Sequence, residues 1–266
     1  NGLNDRYGAS TYNPNLVFWS GLPDNAQIGG SGSVRIANSG GIGTTGDRAA
    51  GMTGLSLALG QASGTVALLN DDGVIETEGS EAHGIIAKSH VGTIDGFSES
   101  TAGAVIVSNN SGSVTVIGSQ SSAIVALSRS EIGAASDVTI DNAEGALLAF
   151  GGVSGYAVDA GSFSATGDSG LVSLDNTGGS IVGHSVDGAV LLQSLAADDH
   201  TSGGITVTSS GAVAGTGSLS YGMRLVSGTG NISLTNTGLS QGGTGGHAVS
   251  MEGGTSNLLN NSGSGE

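Results

Sequence analysis

Acidic side chains are the residues in this chain whose type and spacing could do chemistry. They gather at one turn and the strand after it, and again in a second loop, as Asp71, Asp72, Glu76 and Glu78, and as Asp198, Asp199 and His200. Oxygen ligands at such spacing would suit a hard cation such as Ca²⁺. The alternative, a solvated acidic surface, is the interpretation that the sequence favours, so we assign no metal ligand.

A calcium-binding repeat is disfavoured by a single position. β-Rolls bind Ca²⁺ through tandem copies of G-G-x-G-x-D-x-U-x. The segment Gly29-Gly30-Ser31-Gly32-Ser33-Val34 begins in this way, but Val34 stands where the Asp is required and no tandem copy follows. We therefore expect no bound cofactor.

Polysaccharide cleavage would need carboxylates beside a metal ion or beside an Arg or Lys base. The six basic residues are scattered along the chain, at Arg6, Arg35, Arg48, Lys88, Arg129 and Arg224. The five histidines lack the spacing of a zinc site, and we interpret them as turn or surface residues: His83, His90, His184, His200 and His247. Serine is too abundant for a Ser near a His to indicate a nucleophile. The sequence thus predicts that the chain is not an enzyme, and we assign no catalytic residue.

The composition argues against several classes of partner. The net charge of −16 comes from 22 acidic against 6 basic residues, which disfavours binding to nucleic acid or to an anionic membrane surface. The chain has no Cys, so disulfides and thiolate metal sites are absent. No apolar segment approaches the roughly 18 residues of a membrane span, and we expect no membrane insertion by this chain.

A short recurring pattern organises the chain. An alternating apolar segment ends in Asn or Ser, and a Gly follows. Seven copies occupy Ile36–Gly40, Leu68–Gly73, Val107–Gly112, Ile140–Gly145, Leu174–Gly178, Val207–Gly211 and Leu234–Gly238. An eighth, frayed copy occupies Leu258–Gly263, with Asn260 at the Asn position, and successive copies lie 24 to 39 residues apart. Periods in this range are typical of repeat proteins whose units must stack to bury their apolar faces.

Three strand-like runs can be followed in each repeat. The first leads into the Asn, the second follows the Gly, and the third ends the unit, as in residues 84–89, 123–128, 188–194, 222–227 and 247–252. Three short strands separated by tight turns predict one coil of a right-handed parallel β-helix. About eight coils rising about 4.8 Å each would form a rod roughly 40 Å long. The recurring Asn would stack on its equivalents above and below and hydrogen-bond to them.

The fold prediction is therefore an all-β, single-domain right-handed parallel β-helix over residues 31–266. Residues 1–30 differ in composition, since they contain both prolines and four of the nine aromatic residues. They predict an N-terminal aromatic segment that either caps the first coil or joins subunits in assembly.

One segment resembles a known family. Thr77-Glu78-Gly79-Ser80-Glu81-Ala82-His83-Gly84-Ile85-Ile86-Ala87-Lys88-Ser89 is similar to the T-x-G-x-x-A-H-G-I-x-A-x-S repeat in passenger regions of bacterial autotransporters and related surface exoproteins. The resemblance implies a right-handed β-helix, export through type V secretion, and a role in adhesion, aggregation or biofilm. It implies a location outside the cell or on the bacterial cell surface.

These observations predict a non-enzymatic structural and adhesive β-helix module, a rigid rod that mediates adhesion, aggregation or biofilm formation. Its partners would be further copies of itself, end to end or side by side, or a ligand on a host or cell surface. Two alternatives remain open at this stage. One is the subunit of an extracellular homopolymeric filament built by end-to-end stacking, and the other is a β-helical enzyme that acts on polysaccharides.

Overall fold

The computed structural model describes residues 30–93, 99–150 and 154–263. Within them the chain forms 22 β-strands, numbered β1 to β22 along the sequence, in three parallel sheets. Sheet A contains β1 (Val34–Asn38), β4 (Val66–Asp71), β7 (Val105–Asn110), β10 (Val138–Asp141), β13 (Val172–Asn176), β16 (Ile205–Ser209), β19 (Ile232–Asn236) and β22 (Leu258–Asn261).

The other two sheets have seven strands each. Sheet B contains β2 (Gly41–Thr45), β5 (Val74–Glu78), β8 (Ser113–Ile117), β11 (Ala146–Phe150), β14 (Ser180–Gly183), β17 (Ala212–Gly215) and β20 (Ser240–Gln241). Sheet C contains β3 (Ala50–Leu59), β6 (His83–Gly92), β9 (Ile124–Ser130), β12 (Tyr156–Ser164), β15 (Gly188–Leu195), β18 (Tyr221–Ser227) and β21 (Val249–Gly253).

Each strand from β1 to β19 pairs in parallel with the strand three places further along the chain. Each successive trio of strands is therefore one coil, and the coils stack into a right-handed parallel β-helix of about eight coils, as predicted. Two third-run strands, β3 and β12, were not among those predicted. The predicted N-terminal cap or assembly segment, residues 1–30, lies outside the described residues except for Gly30.

The core is a narrow column of small aliphatic side chains. Period-2 alternation sends Val66 and Leu68 of β4 inward, and the same positions of the other sheet A strands do likewise. Val, Ile, Leu and Ala from all three sheets join in one continuous cluster along the rod. With neighbouring coils above and below, each of these side chains loses its contact with water.

A column of Asn side chains runs along the corner between sheets A and B. It comprises Asn38, Asn70, Asn109, Asn142, Asn176, Ser209, Asn236 and Asn261. Wherever two Asn residues are adjacent, the Nδ2 of one donates to the Oδ1 of the next at 2.8 Å. The second Nδ2 proton reaches a carbonyl of the corner itself, as from Asn70 to Gly73 at 2.9 Å. The predicted stacking of Asn is confirmed.

The eighth copy joins this column one residue later than predicted. The register of β22 on β19 places Asn261 beside Asn236, so Asn261 and not Asn260 is the equivalent residue. Asn260 instead pairs with Thr235 on the outer side of sheet A. In a run of two Asn residues the sequence pattern did not specify which one points inward, and strand pairing decides it.

The glycine after each Asn leaves the space that the column occupies. A Cβ built on Gly112, Gly145 or Gly179 would collide with the Nδ2 of a column Asn. Glycine is therefore required here because a side chain would displace the buried amides, even though none of these three residues has a positive φ. The Asn and the Gly of the repeat form one structural unit.

A second column, made of buried serines, lies near the ends of the sheet C strands. It contains Ser56, Ser89, Ser128, Ser162, Ser194 and Ser227. The first five each donate through Oγ to a carbonyl of the corner that precedes the sheet A strand of the same coil, at distances of 2.8 to 3.0 Å. This column explains the final Ser of the A-x-S motif: Ser89 satisfies the carbonyl of Gly64 at the turn into its own coil.

Ser209 interrupts the Asn column and provides a test of it. Ser209 accepts from Asn176 at 3.3 Å but is too short to donate to the next coil, and the buried Oδ1 of Asn236 has no hydrogen-bond partner. We predict that Ser209→Asn supplies this donor and raises the free energy of unfolding by about 1 kcal/mol. The midpoint of thermal or urea unfolding measures the change.

The reciprocal variant is Asn109→Ser, which should leave the Oδ1 of Asn142 without its donor. We expect the free energy of unfolding to fall by about 2 kcal/mol. The role given to the column would be contradicted if both substitutions changed the free energy of unfolding equally and in the same direction. It would also be contradicted if Ser209→Asn lowered that free energy.

The glycine of the corner yields a second prediction. Gly145→Ala places a methyl group against the amides of Asn109 and Asn142, and we expect it to lower the free energy of unfolding by about 2 kcal/mol. Gly43→Ala is the matched control, because nothing lies within 4 Å of a Cβ at Gly43, and it should leave the unfolding midpoint nearly unchanged. Similar midpoints for both variants would show that the corner tolerates a side chain.

Candidate interaction surfaces

The predicted acidic residues lie around the corner of the second coil. Asp71 ends β4, Asp72 follows with a φ of 55°, and Glu76 and Glu78 point outward from β5. All four are exposed to solvent. Within residues 30–93, 99–150 and 154–263, no group of three His, Asp or Glu side chains is arranged to hold a metal ion.

The second acidic segment, residues 198–200, is a loop after β15 that contacts the loop of the coil before it. His200 Nδ1 lies 3.7 Å from Asp168 Oδ1. Asp168 also accepts from the N and Oγ1 of Thr201, at 2.8 and 3.0 Å. These hydrogen bonds hold the pKa of the exposed Asp168 carboxyl below its usual range. The acidic residues here join adjacent loops.

Three of the scattered basic residues share one face of the rod. Lys88 of β6, Arg129 of β9 and Arg224 of β18 all lie on the outer side of sheet C. Arg35 lies on sheet A, and Arg48 forms an ion pair with Glu81 at 2.9 Å. Arg6 lies outside the described residues. Stacking of the coils thus gathers residues that are far apart in sequence.

An ionic network extends along the outer face of sheet C. Arg224 donates to both carboxylate oxygens of Glu252, at 2.8 and 3.0 Å, and lies within electrostatic reach of Tyr156. Its guanidinium lies 5.8 Å from the centre of the Tyr221 ring. The bidentate geometry fixes the positions of both charged groups, so the network links the coils of β12, β18 and β21.

Asp159 continues this network. Burial raises the pKa of the Asp159 carboxyl, the charge of Lys88 opposes that rise, and the charge of Asp187 adds to it. Burial also lowers the pKa of Lys88, with Asp159 acting in the opposite direction. Asp187 in turn accepts from the backbone N–H of Gly155 at 2.8 Å. Asp159 and Asp187 therefore lie within electrostatic reach of Tyr156, and Lys88 lies within reach of Asp159.

Next to this network, the described residues form a shallow hollow of about 390 Å³ on sheet C. Leu127, Phe163, Leu195 and Ala197 line it, with Arg129 at its margin. The hollow opens to solvent and is mainly apolar. Its lining includes none of the carboxyl groups of the ionic network.

The outer faces of sheets A and B differ from that of sheet C. From β10 to β19, sheet A presents rows of Ser, Thr and Asp, in which Asp141 lies next to Asp175 on the adjacent strand. Burial, with the charge of Asp175 adding to it, raises the pKa of Asp141. Sheet B from β8 to β17 presents no charged Asp, Glu, Lys or Arg side chain on its outer side.

The histidines do not all lie at turns or on the surface. His83 is buried, and its Nδ1 accepts from the backbone N–H of Ser122 at 3.1 Å. His90 is largely buried, with Nε2 at 3.7 Å from Glu131, and burial lowers its pKa. His184 stacks on Phe150 with ring centres 4.5 Å apart. For His83 and His90 the surface interpretation is wrong, because their strand positions lie beneath neighbouring coils and loops.

Tyr156, Asp159 and the contact between Phe150 and His184 were not predicted from the sequence. Tyr156 and Asp159 belong to β12. Asp159 and Gly161 interrupt the run of apolar residues in this strand, so the sequence pattern did not indicate it. Aligning the third run of every coil would have identified β12 and placed Asp159 on the face that carries Lys88.

Comparisons with known proteins yield no relative for this fold and these surfaces. We find no family model, no curated protein and no solved structure that matches the chain. Among the residues that the structure describes, no helix is long and apolar enough to cross a membrane. The resemblance to autotransporter passengers stays a prediction based on the motif at Thr77–Ser89.

His83 gives the rod a predictable response to acid. Burial, with the charge of Lys88 adding to it, lowers the pKa of His83 to about 4 from its ordinary 6.5. Between these values the unfolded chain binds more protons than the folded chain, so the free energy of unfolding falls as pH falls. Down to about pH 4.5 the loss from His83 should be roughly 2 kcal/mol.

Urea unfolding at about pH 7 and about pH 4.5 measures this loss in the protein and in His83→Asn, whose amide oxygen can accept from Ser122. The carboxylates titrate in both proteins, so the difference between their pH dependences isolates His83. An identical pH dependence would mean that His83 is readily protonated in the folded state.

Proposed function

We propose that this chain is a structural and adhesive rod, a β-helical part of a bacterial protein that acts outside the cell or on the cell surface. The observation that carries the proposal is the Asn column. Side chains repeated in every coil are used to join that coil to the next, which gives an extended body of fixed rise. Such a body holds its outer faces at a distance from its point of attachment.

Charge and sequence motif support the same function. A net charge of −16 favours solubility and opposes unspecific binding to anionic surfaces. The motif at Thr77–Ser89 resembles the repeats of autotransporter passengers, for which adhesion, aggregation and biofilm formation are common roles. In this proposal the faces of the rod are the binding surfaces, and its core serves only to hold them in place.

Surface display tests the proposal. Cells that do not adhere by themselves would carry the chain on an unrelated outer-membrane anchor, at a density low enough to keep the cells single. We expect retention on abiotic and cellular surfaces under flow to exceed that of cells displaying an inert domain of similar length.

The control is the displayed double variant Asn109→Ser with Gly145→Ala, which should lose retention because the rod is destabilised. Retention equal to that of the inert domain for the unaltered chain would contradict adhesion. Retention unaffected in a double variant shown to be unfolded would contradict the role of the rod.

A polysaccharide-active enzyme is the second candidate, and one observation favours it. Lys88, Asp159 and Arg224 share the outer side of sheet C. Asp187, in the corner before β15, lies within electrostatic reach of Asp159 and Tyr156, and burial raises the pKa of Asp159. A carboxyl group with a raised pKa near a second carboxyl group is the arrangement of a general acid and its partner. The adjacent hollow is shallow and contains neither carboxyl group, which is why we place this function second.

Assays on neutral and acidic polysaccharides separate the two candidates. Release of reducing ends, or of unsaturated products absorbing in the ultraviolet, would be measured for the protein and for Asp159→Asn. The rod proposal predicts equal and background release from both. An activity that falls at least roughly 100-fold in Asp159→Asn, with unchanged unfolding, would establish the enzyme instead.

A further inference from the structure

The outer side of sheet B carries a patch without charged groups, which we name the uncharged face. It consists of the outward side chains of β8, β11, β14 and β17 and of the residue that follows each of the last two strands. These are Ser113, Thr115, Ile117, Ala146, Leu148, Phe150, Ser180, Val182, His184, Ala212, Ala214 and Thr216. Ile117 is 51% exposed and Phe150 is 37% exposed, so large apolar groups here are in contact with water.

The register arranges these side chains in three straight rows along the rod. One edge row is small, with Ser113, Ala146, Ser180 and Ala212. The middle row contains Thr115, Leu148, Val182 and Ala214. The other edge row is bulky, with Ile117, Phe150, His184 and Thr216. The side chains of the uncharged face thus extend far from the sheet along one edge and only a short way along the other.

Charge identifies the occupant that this face can accept. Two copies of a chain with net charge −16 repel each other, and the repulsion is smallest where the facing surfaces carry no charge. Sheet A presents Asp141 and Asp175, and sheet C presents the ionic network. Glu76 and Glu78 of β5 border the uncharged face at one end but lie outside it. The uncharged face is where a second copy meets the least repulsion.

Shape makes the face complementary to itself. A twofold axis in the interface and parallel to the rod keeps both rods pointing the same way and reverses the order of the rows. The bulky row of one copy then lies over the small row of the other, and the two middle rows meet at the axis. We propose that the uncharged face is an isologous dimer interface, through which two copies of this chain associate side by side with their rods parallel.

The aromatic stack favours a protein partner over a sugar. Sugars bind to the open face of an aromatic ring, but His184 covers one face of the Phe150 ring at a centre-to-centre distance of 4.5 Å. His184 is in turn held by a hydrogen bond of 2.5 Å between its Nδ1 and Thr216. The stack therefore directs ring edges outward, which suits packing against the Ser and Ala residues of the small row.

The size of the face sets the strength of the contact. Four strands about 4.8 Å apart and about 17 Å long give a footprint on the order of 300 Å² per copy. Stable complexes bury about 800 Å² per partner, so a single pair of rods should associate weakly. Many rods held on one surface would nevertheless bind strongly through multivalency. The inference names a partner for the proposed adhesive rod and rests on that function for its biological meaning.

Sedimentation of the purified chain from about 10 μM to about 1 mM tests the interface. We expect a reversible monomer–dimer equilibrium in the unaltered protein. Leu148→Glu, in the middle row, should raise the dissociation constant at least tenfold, because it places two like charges at the axis. Thr206→Glu, on the exposed outer side of sheet A, adds the same charge and should leave the dissociation constant unchanged. Thermal unfolding checks that both variants remain folded.

Cross-linking tests the geometry. The chain contains no Cys, so an introduced cysteine is the only thiol in each copy. Val182→Cys lies at the axis and should be joined to its symmetry mate by a short bismaleimide, whereas Thr206→Cys should not. The inference is overturned by a monomer at every concentration, by equal effects of Leu148→Glu and Thr206→Glu, or by equal cross-linking of the two cysteines. A monomer combined with surface retention in the display experiment would refute this inference and leave the adhesive rod intact.

Discussion

The buried Asn column is the constraint on which the rest of the structure depends. A primary amide removed from water must find partners for two N–H groups and one carbonyl oxygen. The column satisfies these groups from the coil itself and from the next coil, so no coil is complete alone. This requirement fixes the rise between coils, requires Gly at the corner, and aligns the strands so that the apolar core is continuous. The chain tolerates separations of 25 to 39 residues between column Asn residues, because loops between sheets absorb the difference.

The stacking of the coils constrains the interior side chains but not the outward ones, and the three outer faces differ in chemistry. Sheet A presents hydroxyl groups and carboxylates, sheet B a neutral surface with exposed apolar groups, and sheet C a network of ion pairs beside a shallow hollow. Each face is open to solvent, and its side chains repeat along the rod at the spacing of the strands. Surfaces of this kind suit contact with another extended object better than enclosure of a small molecule, which is why the proposed function is adhesive and its proposed partner a second rod.

Much of the fold could be predicted from sequence because its signals are local and repeated. Alternation of apolar residues predicted the strands of sheet A, and the recurrence of Asn and Gly predicted the stacked corner. The prediction missed β3, and it missed β12, where Asp159 and Gly161 interrupt the run of apolar residues. It placed Asn260 where Asn261 belongs. It also interpreted His83 as a turn or surface residue. In each case the deciding factor is a neighbouring coil: pairing selects Asn261, and burial under adjacent chain gives His83 its low pKa.

The sequence by itself determined the period, the three strands per coil, the inward apolar column and the absence of thiol chemistry. These features follow from backbone sterics and from side chains a few residues apart. Only the tertiary structure decided which outward residues share a face, such as Lys88 with Asp159 and Phe150 with His184. Their proximity depends on the length of every intervening loop and on the register of each strand pair. Whether a side chain points inward or outward is a local property of its strand, whereas its neighbours in other coils are set by the stacking of the whole rod.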